Sequence, residues 1–239
     1  GGPPCQPVSI GGVHRGDLDQ RNMFPEAIRA VREAQPKAFM FENVRGLARS
    51  SFRPYLDYIV LQLRHPWLLR KADESWGDHA KRLGHSERSG IEPDGPEYDV
   101  EVKAASCSDF GAPQIRERVI FVGFRKDLGA RVAWPHPTHS LHNLLFEQYV
   151  TGEYWERHEI KRRAVPTGLK GEVERVRFLG RKEGLPWRTV RDAISEFGPP
   201  ARVKDRVSLE KRQHVLIPGA RMYAGHSGSP MDWPSKALK

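Results

Sequence analysis

Apolar residues recur at helical spacing early in the chain. Phe24, Ala27, Ile28 and Val31 fall at i, i+3, i+4 and i+7, which predicts one buried helix face. Pro25 suits the first turn of that helix, and Gln35-Pro36 ends it. Ala38-Phe39-Met40-Phe41 is a short apolar run suited to a buried strand. Loop, helix and strand in this order resemble part of a βαβ unit. Leu56, Ile59, Val60 and Leu63 repeat the helical spacing, and His65-Pro66 stops them. Residues 70–97 are polar, rich in Gly and Asp, and carry His79 and His85, so they read as a surface loop or insertion. Tyr98 to Val102 alternates apolar and acidic residues, and Val119 to Phe124 is more apolar; both read as strands, the second in a sheet interior. Trp134-Pro135-His136-Pro137 marks a boundary, after which periodicity fades apart from a short helix near Val190–Ile194.

Composition narrows the class. With 38% hydrophobic and 29% charged residues in 239, the chain can bury a core and is no disordered tail. The 22 Gly and 19 Pro imply many turns. No apolar run approaches the roughly 20 residues of a membrane helix, and two cysteines do not make a disulfide framework. A soluble, intracellular protein is expected. Its net charge of +9 is uneven. Residues 1–150 hold 20 Lys+Arg against 19 Asp+Glu, whereas residues 151–239 hold 19 against 11. A basic second part suits a polyanion, because Lys and Arg displace counterions from phosphates; a solvated basic face is the plainer alternative. The opening Gly1-Gly2-Pro3 and the ending at Lys239 read as those of a piece of a longer protein.

Three motifs carry candidate chemistry. Gly2-Pro3-Pro4-Cys5-Gln6-Pro7-Val8-Ser9 surrounds one cysteine with prolines, a stiff mount for a nucleophile. Such a thiol, of reference pKa about 8.5, needs an electropositive setting to act as thiolate, and a structural cysteine is the alternative. Phe41-Glu42-Asn43-Val44 puts a carboxylate where an apolar strand ends, the edge at which open α/β sheets bind ligands. Gln114-Ile115-Arg116-Glu117-Arg118 would point Gln114, Arg116 and Arg118 one way if extended. Two guanidiniums on one side suit a phosphate or a carbonyl oxygen, and a salt-bridged strand edge is the alternative. Cys107 sits among small residues after a strand and reads as a packed thiol. The ten histidines show no metal-ligand spacing.

Together, in this order, the motifs resemble the DNA cytosine-5 methyltransferases. The family's nucleophile loop is matched by Pro4-Cys5-Gln6-Pro7-Val8-Ser9, with Val8 in place of the usual Phe. Its Glu-Asn-Val block is matched by Glu42-Asn43-Val44, and its Gln-x-Arg-x-Arg block by Gln114, Arg116 and Arg118 after Asp109-Phe110-Gly111-Ala112-Pro113. Asp19-Gln20-Arg21-Asn22-Met23-Phe24, Trp134-Pro135 and Thr189-Val190-Arg191-Asp192-Ala193-Ile194 also resemble family blocks. The Cys-Phe-Thr block of the transfer-RNA branch does not appear.

The resemblance implies an α/β fold: a Rossmann-like methyltransferase core, incomplete at both ends, plus a small, irregular, mostly β recognition domain. Residues 1–134 would be the partial catalytic domain, 135–225 the target-recognition domain, and 226–239 the start of the return to the catalytic domain. Cys5 would attack C6 of a flipped-out cytosine, with Glu42 at N3 and the exocyclic amine and Arg116 and Arg118 as further catalytic residues. Asn43 and Gln114 would support them. Gln6 and Ser9 would lie near DNA, and Pro4 and Met23 would line the pocket for S-adenosylmethionine; no metal is implied. The implied partner is double-stranded DNA in the cytoplasm of a bacterium, within a restriction–modification system. One subunit of a split enzyme, needing a complementary partner, and a non-catalytic DNA-binding remnant are the alternatives.

Overall fold

A computed structural model describes residues 1–4, 22–89, 94–198, 201–202, 215–216 and 228–237. They fall into two compact units. The first comprises Gly1–Ala105 with Glu117–Pro135, the second Ser106–Arg116 with His136–Lys239.

The first unit begins its regular structure with α1 (Phe24–Ala34), which buries Phe24, Ile28 and Val31. Pro25 occupies its first turn, and Gln35 ends it in the left-handed region at φ 44°, its N–H bonded to Val31 O. β1 (Ala38–Val44) follows, then α2 (Arg53–Arg64). The apolar spacing had implied α1 and α2 and the apolar run had implied β1, but not as the buried strand expected: β1 lies at an edge of its sheet with Ala38 and Met40 exposed. α3 (Trp76–Ser89) had no such signal, and the surface loop expected over 70–97 is corrected here. The helix forms because it buries Leu83 and His79. Tyr58 Oη lies 2.9 Å from His79 Nδ1, and His79 Nε2 lies 2.8 Å from Leu68 O. The carbonyl can only accept, so Nε2 carries the proton and Nδ1 accepts from the tyrosine. A histidine satisfied at both nitrogens thus serves as a core residue.

β2 (Tyr98–Ser106) leads to a two-residue strand, β3 (Gln114–Ile115), and then to β4 (Glu117–Arg125). The sheet order is β1-β4-β2, so β4 is central as its apolar character predicts. β1 and β4 run antiparallel from Ala38 opposite Phe124 to Val44 opposite Arg118. Phe121 and Val119 of β4, with Tyr98 and Val100 of β2, pack on α1, α2 and α3 in one core.

The second unit is built around β5 (His139–Ser140), α4 (Leu141–Leu145), a π-turn at Phe146–Thr151, α5 (Glu153–Arg157), α6 (Lys170–Leu179), β6 (Leu185–Pro186) and α7 (Val190–Ile194). Leu144, Leu145, Tyr149, Tyr154, Trp155 and Val176 anchor its core. Strand pairs are two residues long: β5 with β6, β7 (Ala201–Arg202) with β8 (Val215–Leu216), and β3 with β9 (Ser235–Lys236), all parallel. Among the described residues this unit is therefore mainly helical, which corrects the mostly β lobe expected. Its inward-facing residues come from several short helices around a π-turn and never sustain one period.

Buried polar contacts join distant parts of this unit. Thr189 caps α7 in a capping box with Asp192. Asp232 accepts from Arg191 Nε at 2.6 Å and from Tyr154 Oη at 3.1 Å. Val190 N donates to Trp233 O at 3.0 Å, so residues 231–233 are laced to the start of α7.

Candidate active site

The site candidates of the first unit gather at one end of β1. Gly1 N donates to Met40 O at 2.7 Å and Glu42 N donates to Gly1 O at 2.9 Å. That is the bonding pattern of one parallel bridge around Phe41. The chain before the cysteine thus enters alongside the strand that carries the carboxylate. A Cβ on Gly2 would sit 3.6 Å from Glu42 Oε2, so the carboxylate lies on the side of the backbone that any side chain there would occupy.

Pro3 and Pro4 have no N–H, and their backbone can be held only through the carbonyls. Both carbonyls are held. Asn43 Nδ2 donates to Pro3 O at 2.8 Å, and Met23 N donates to Pro4 O at 3.0 Å. Asn43 is 4% exposed, and its Oδ1 accepts from Val44 N at 2.8 Å, which fixes the amide's orientation. Beside Met23, Asn22 donates from Nδ2 to Tyr55 Oη on α2 and accepts from Phe24 N at 3.2 Å. The two residues preceding Cys5 are therefore tied on one side to the Glu42 strand and on the other to the start of α1. Cys5, Gln6 and Ser9 themselves lie outside the described residues.

Glu42 Oε1 accepts from Arg118 Nε at 2.5 Å across the β1–β4 pair. The glutamate side chain remains 43% exposed, so a ligand can reach it. Arg118 also donates from a terminal nitrogen to Glu117 O at 2.8 Å, and Glu117 pairs with Arg45. These contacts hold one guanidinium edge on the carboxylate, which keeps it oriented. Met23 is 39% exposed next to Pro4, so both cofactor candidates lie at the same place.

Gln114 and Arg116 are placed differently. The segment is not one strand: β3 ends at Ile115 and β4 begins at Glu117, with Arg116 between them. Gln114 and Arg116 belong to the second unit and Arg118 to the first. Arg116 O accepts from Cys107 N at 3.1 Å, and Gln114 pairs with Ser235. Sequence reasoning missed Asn22 and Tyr55, whose pairing spans residues too far apart to leave a local signal. Among the described residues no group of three or more His, Cys, Asp or Glu could hold a metal ion.

The family model for C-5 cytosine-specific DNA methylase matches residues 1–65 and 91–183, more than half of the chain. The chain belongs to this family. The type II methyltransferase M.AquIA of Picosynechococcus sp. is 30% identical over 216 residues, covering 90% of this chain and 65% of that protein. The DNA (cytosine-5-)-methyltransferase M.ApeKI of Aeropyrum pernix is 30% identical over 220 residues, 88% of this chain and 44% of its own length. The type II methyltransferase M.NgoMIV of Neisseria gonorrhoeae is 34% identical over 137 residues, covering 57% and 34%. The chain thus spans less than two thirds of the length of these relatives. A crystal structure of a prophage-encoded DNA modification methyltransferase (E. coli) overlaps 56% of this chain and 28% of its own, at 25% identity and TM-score 0.33.

Proposed function

We propose that the protein methylates C5 of cytosine in double-stranded DNA, with S-adenosylmethionine as methyl donor, in a bacterial restriction–modification system. Family membership supports the reaction class. One observation carries the assignment of the site. The Glu42 carboxylate, paired with Arg118, stands beside the backbone that leads into Cys5, and Asn43 bonds that backbone through Pro3.

In this reading Cys5 attacks C6 of a cytosine drawn out of the stack, forming the S–C6 bond. The electron pair moves toward C5 while Glu42, bonded to the exocyclic amine, steadies the proton at N3. C5 then takes the methyl group. Loss of the C5 proton to a base expels the Cys5 sulfur and restores the ring, so each bond formed by the cysteine is also broken. Arg118 orients Glu42. Arg116 and Gln114 take supporting roles, and Gln6 and Ser9 meet DNA beside the nucleophile.

S-adenosylmethionine supplies an electrophilic methyl group when bound. The proline ring of Pro4 and the exposed thioether of Met23, adjacent through the Met23 N–Pro4 O bond, fit one apolar wall of its pocket. They offer no partner for its charged groups, and no other contact is assigned. The three-stranded sheet with helices on one face, and the parallel bridge at Gly1, support a Rossmann-like core. We read residues 135–225 as the target-recognition part, on the basic balance of the chain beyond residue 150. No helix among the described residues is long and apolar enough to cross a membrane, and we place the protein in the cytoplasm with DNA.

The test is transfer of labelled methyl from S-adenosylmethionine to bacterial DNA by the intact protein. Glu42→Gln should reduce it by about two to four orders of magnitude, the usual range for a positioned acid–base group. Label appearing at cytosine N4 or adenine N6 would refute the reading.

A further inference from the structure

The second unit fixes one turn closely and leaves two apolar residues beside it in water. α6 ends at Phe178 and Leu179, which are 90% and 50% exposed. The turn that follows is held from beneath. His142 Nε2 donates to Gly180 O at 2.7 Å. Buried Asn143 donates from Nδ2 to Lys182 O at 3.0 Å and to Gly184 O at 2.8 Å, and its Oδ1 accepts from Lys182 N at 3.0 Å. Both amide protons and one lone pair of Asn143 are thus spent on a single turn. Gly184 adopts φ +95°, and a Cβ there would meet Thr138 O at 3.0 Å, so the path is set by that glycine as well.

None of these bonds buries Phe178. A rigid backbone that exposes an aromatic ring gains nothing for the fold by doing so, since burial is what stabilises a large apolar side chain. Loops held rigid by a scaffold commonly carry binding residues. The chemistry around the ring points to the partner. Arg175, Arg177 and Lys182 flank Phe178 and Leu179 within eight positions, while Arg181 among them is held by Glu147 and Glu153. The Arg175–Glu172 and Arg177–Glu174 pairs are solvent-exposed i,i+3 contacts, weak enough for phosphates to displace.

We infer that the Phe178–Lys182 turn is a DNA-contacting element, in which Phe178 and Leu179 touch base edges or a base step and Lys182 neutralises a flanking phosphate. Apolar side chains serve both for contact with thymine methyl groups and for wedging between steps, while phosphate contacts set register. The inference rests on the proposed methylation of DNA and adds where this chain reads it.

The experiment first identifies the methylated sequence, by bisulfite sequencing of DNA treated with the intact protein. Binding to a duplex carrying that sequence, and to a scrambled duplex, is then measured by fluorescence anisotropy over a range of salt. Phe178→Ala/Leu179→Ala, at exposed positions, should weaken binding to the cognate duplex about 5- to 20-fold with an unchanged salt slope, and weaken the scrambled duplex less. Lys182→Ala should weaken both equally and lower the salt slope by about one. If both variants bind both duplexes as the unaltered protein does, the inference is overturned. It is also overturned if Phe178→Ala/Leu179→Ala changes only the oligomeric state in sedimentation, which would make the patch a contact between copies. Absence of any cytosine methylation by the unaltered protein would sink the underlying reading, a failure visible before any variant is made.

Discussion

Asn43→Asp isolates the tether between the carboxylate strand and the cysteine. The substitution is nearly isosteric and keeps an oxygen that can accept from Val44 N. It replaces the Nδ2 donor, 2.8 Å from Pro3 O, with an oxygen that can only repel that carbonyl when ionised. Asn43 is 4% exposed, so water cannot readily relieve the clash. Loss of the bond plus the unsatisfied buried acceptor costs about 2–4 kcal/mol at this contact. If that free energy is expressed in the placement of Cys5 against Glu42, adduct formation slows by about 30- to 1,000-fold, at a factor of ten per 1.36 kcal/mol. Asn43→Ala, which removes both bonds without adding charge, should fall between the unaltered protein and Asn43→Asp. The assay is single-turnover formation of a covalent complex with duplex DNA containing 5-fluorocytosine, alongside DNA affinity and a thermal melt. The account predicts a large loss of rate with affinity within about threefold, because the tether lies in the first unit and not in the basic lobe. A folded Asn43→Asp protein that forms the adduct within twofold of the unaltered rate would refute the positioning argument.

Other consequences are open to direct measurement. Arg118→Lys should lower methyl transfer about 10- to 100-fold, since an ammonium cannot both hold Glu42 and reach Glu117 O as the planar guanidinium does; a steady-state rate on unselected DNA checks it. Burial lowers the pKa of His79 below its ordinary value of 6.5, although its bond to Leu68 O partly opposes that. A histidine held neutral in the fold leaves stability intact above about pH 6.5 and erodes it as pH falls below, where the unfolded chain takes up the proton. Thermal melts at pH 7.5 and 5.5 should therefore show an acid-side loss that shrinks in His79→Gln; an identical loss in that variant would assign it elsewhere. Gly123→Ala would drive a Cβ into the ring of Phe39, its partner near one end of the β1–β4 pair. We expect a destabilisation of about 1–3 kcal/mol from overpacking, read as a lowered melting temperature.

The sheet end that carries Glu42 was legible because its elements are simple. α1 and α2 present apolar residues at one unbroken period, β1 and β4 as short apolar runs, and a single core takes up residues of all four. α3 was illegible because one of its two buried residues is His79, polar in any pattern count, and Gly77 and Gly84 weaken its helical propensity. In the second unit α4, α5 and α7 are five residues each, too short to show a period, and the π-turn at Phe146–Thr151 shifts the face between α4 and α5. Glu42 and Arg118 could be named from their motifs, and their pairing follows from strand register. The grip on Pro3 and Pro4 could not be named, because Asn43 and Met23 lie 40 and 19 positions away and act through backbone carbonyls. Nor could the assignment of Ser106–Arg116 to the second unit, since nothing in that segment breaks its apparent continuity.

Cys5 as the nucleophile acting with Glu42 is the proposal on which the reaction depends. It is tested most directly by incubating the intact protein with S-adenosylmethionine and duplex DNA containing 5-fluorocytosine. The C5 fluorine cannot leave as a proton does, so the adduct persists and the modified peptide can be sequenced by mass spectrometry. The account predicts a covalent complex mapped to Cys5 and abolished by Cys5→Ala. A complex that survives that substitution, or one that maps to Cys107, would contradict it.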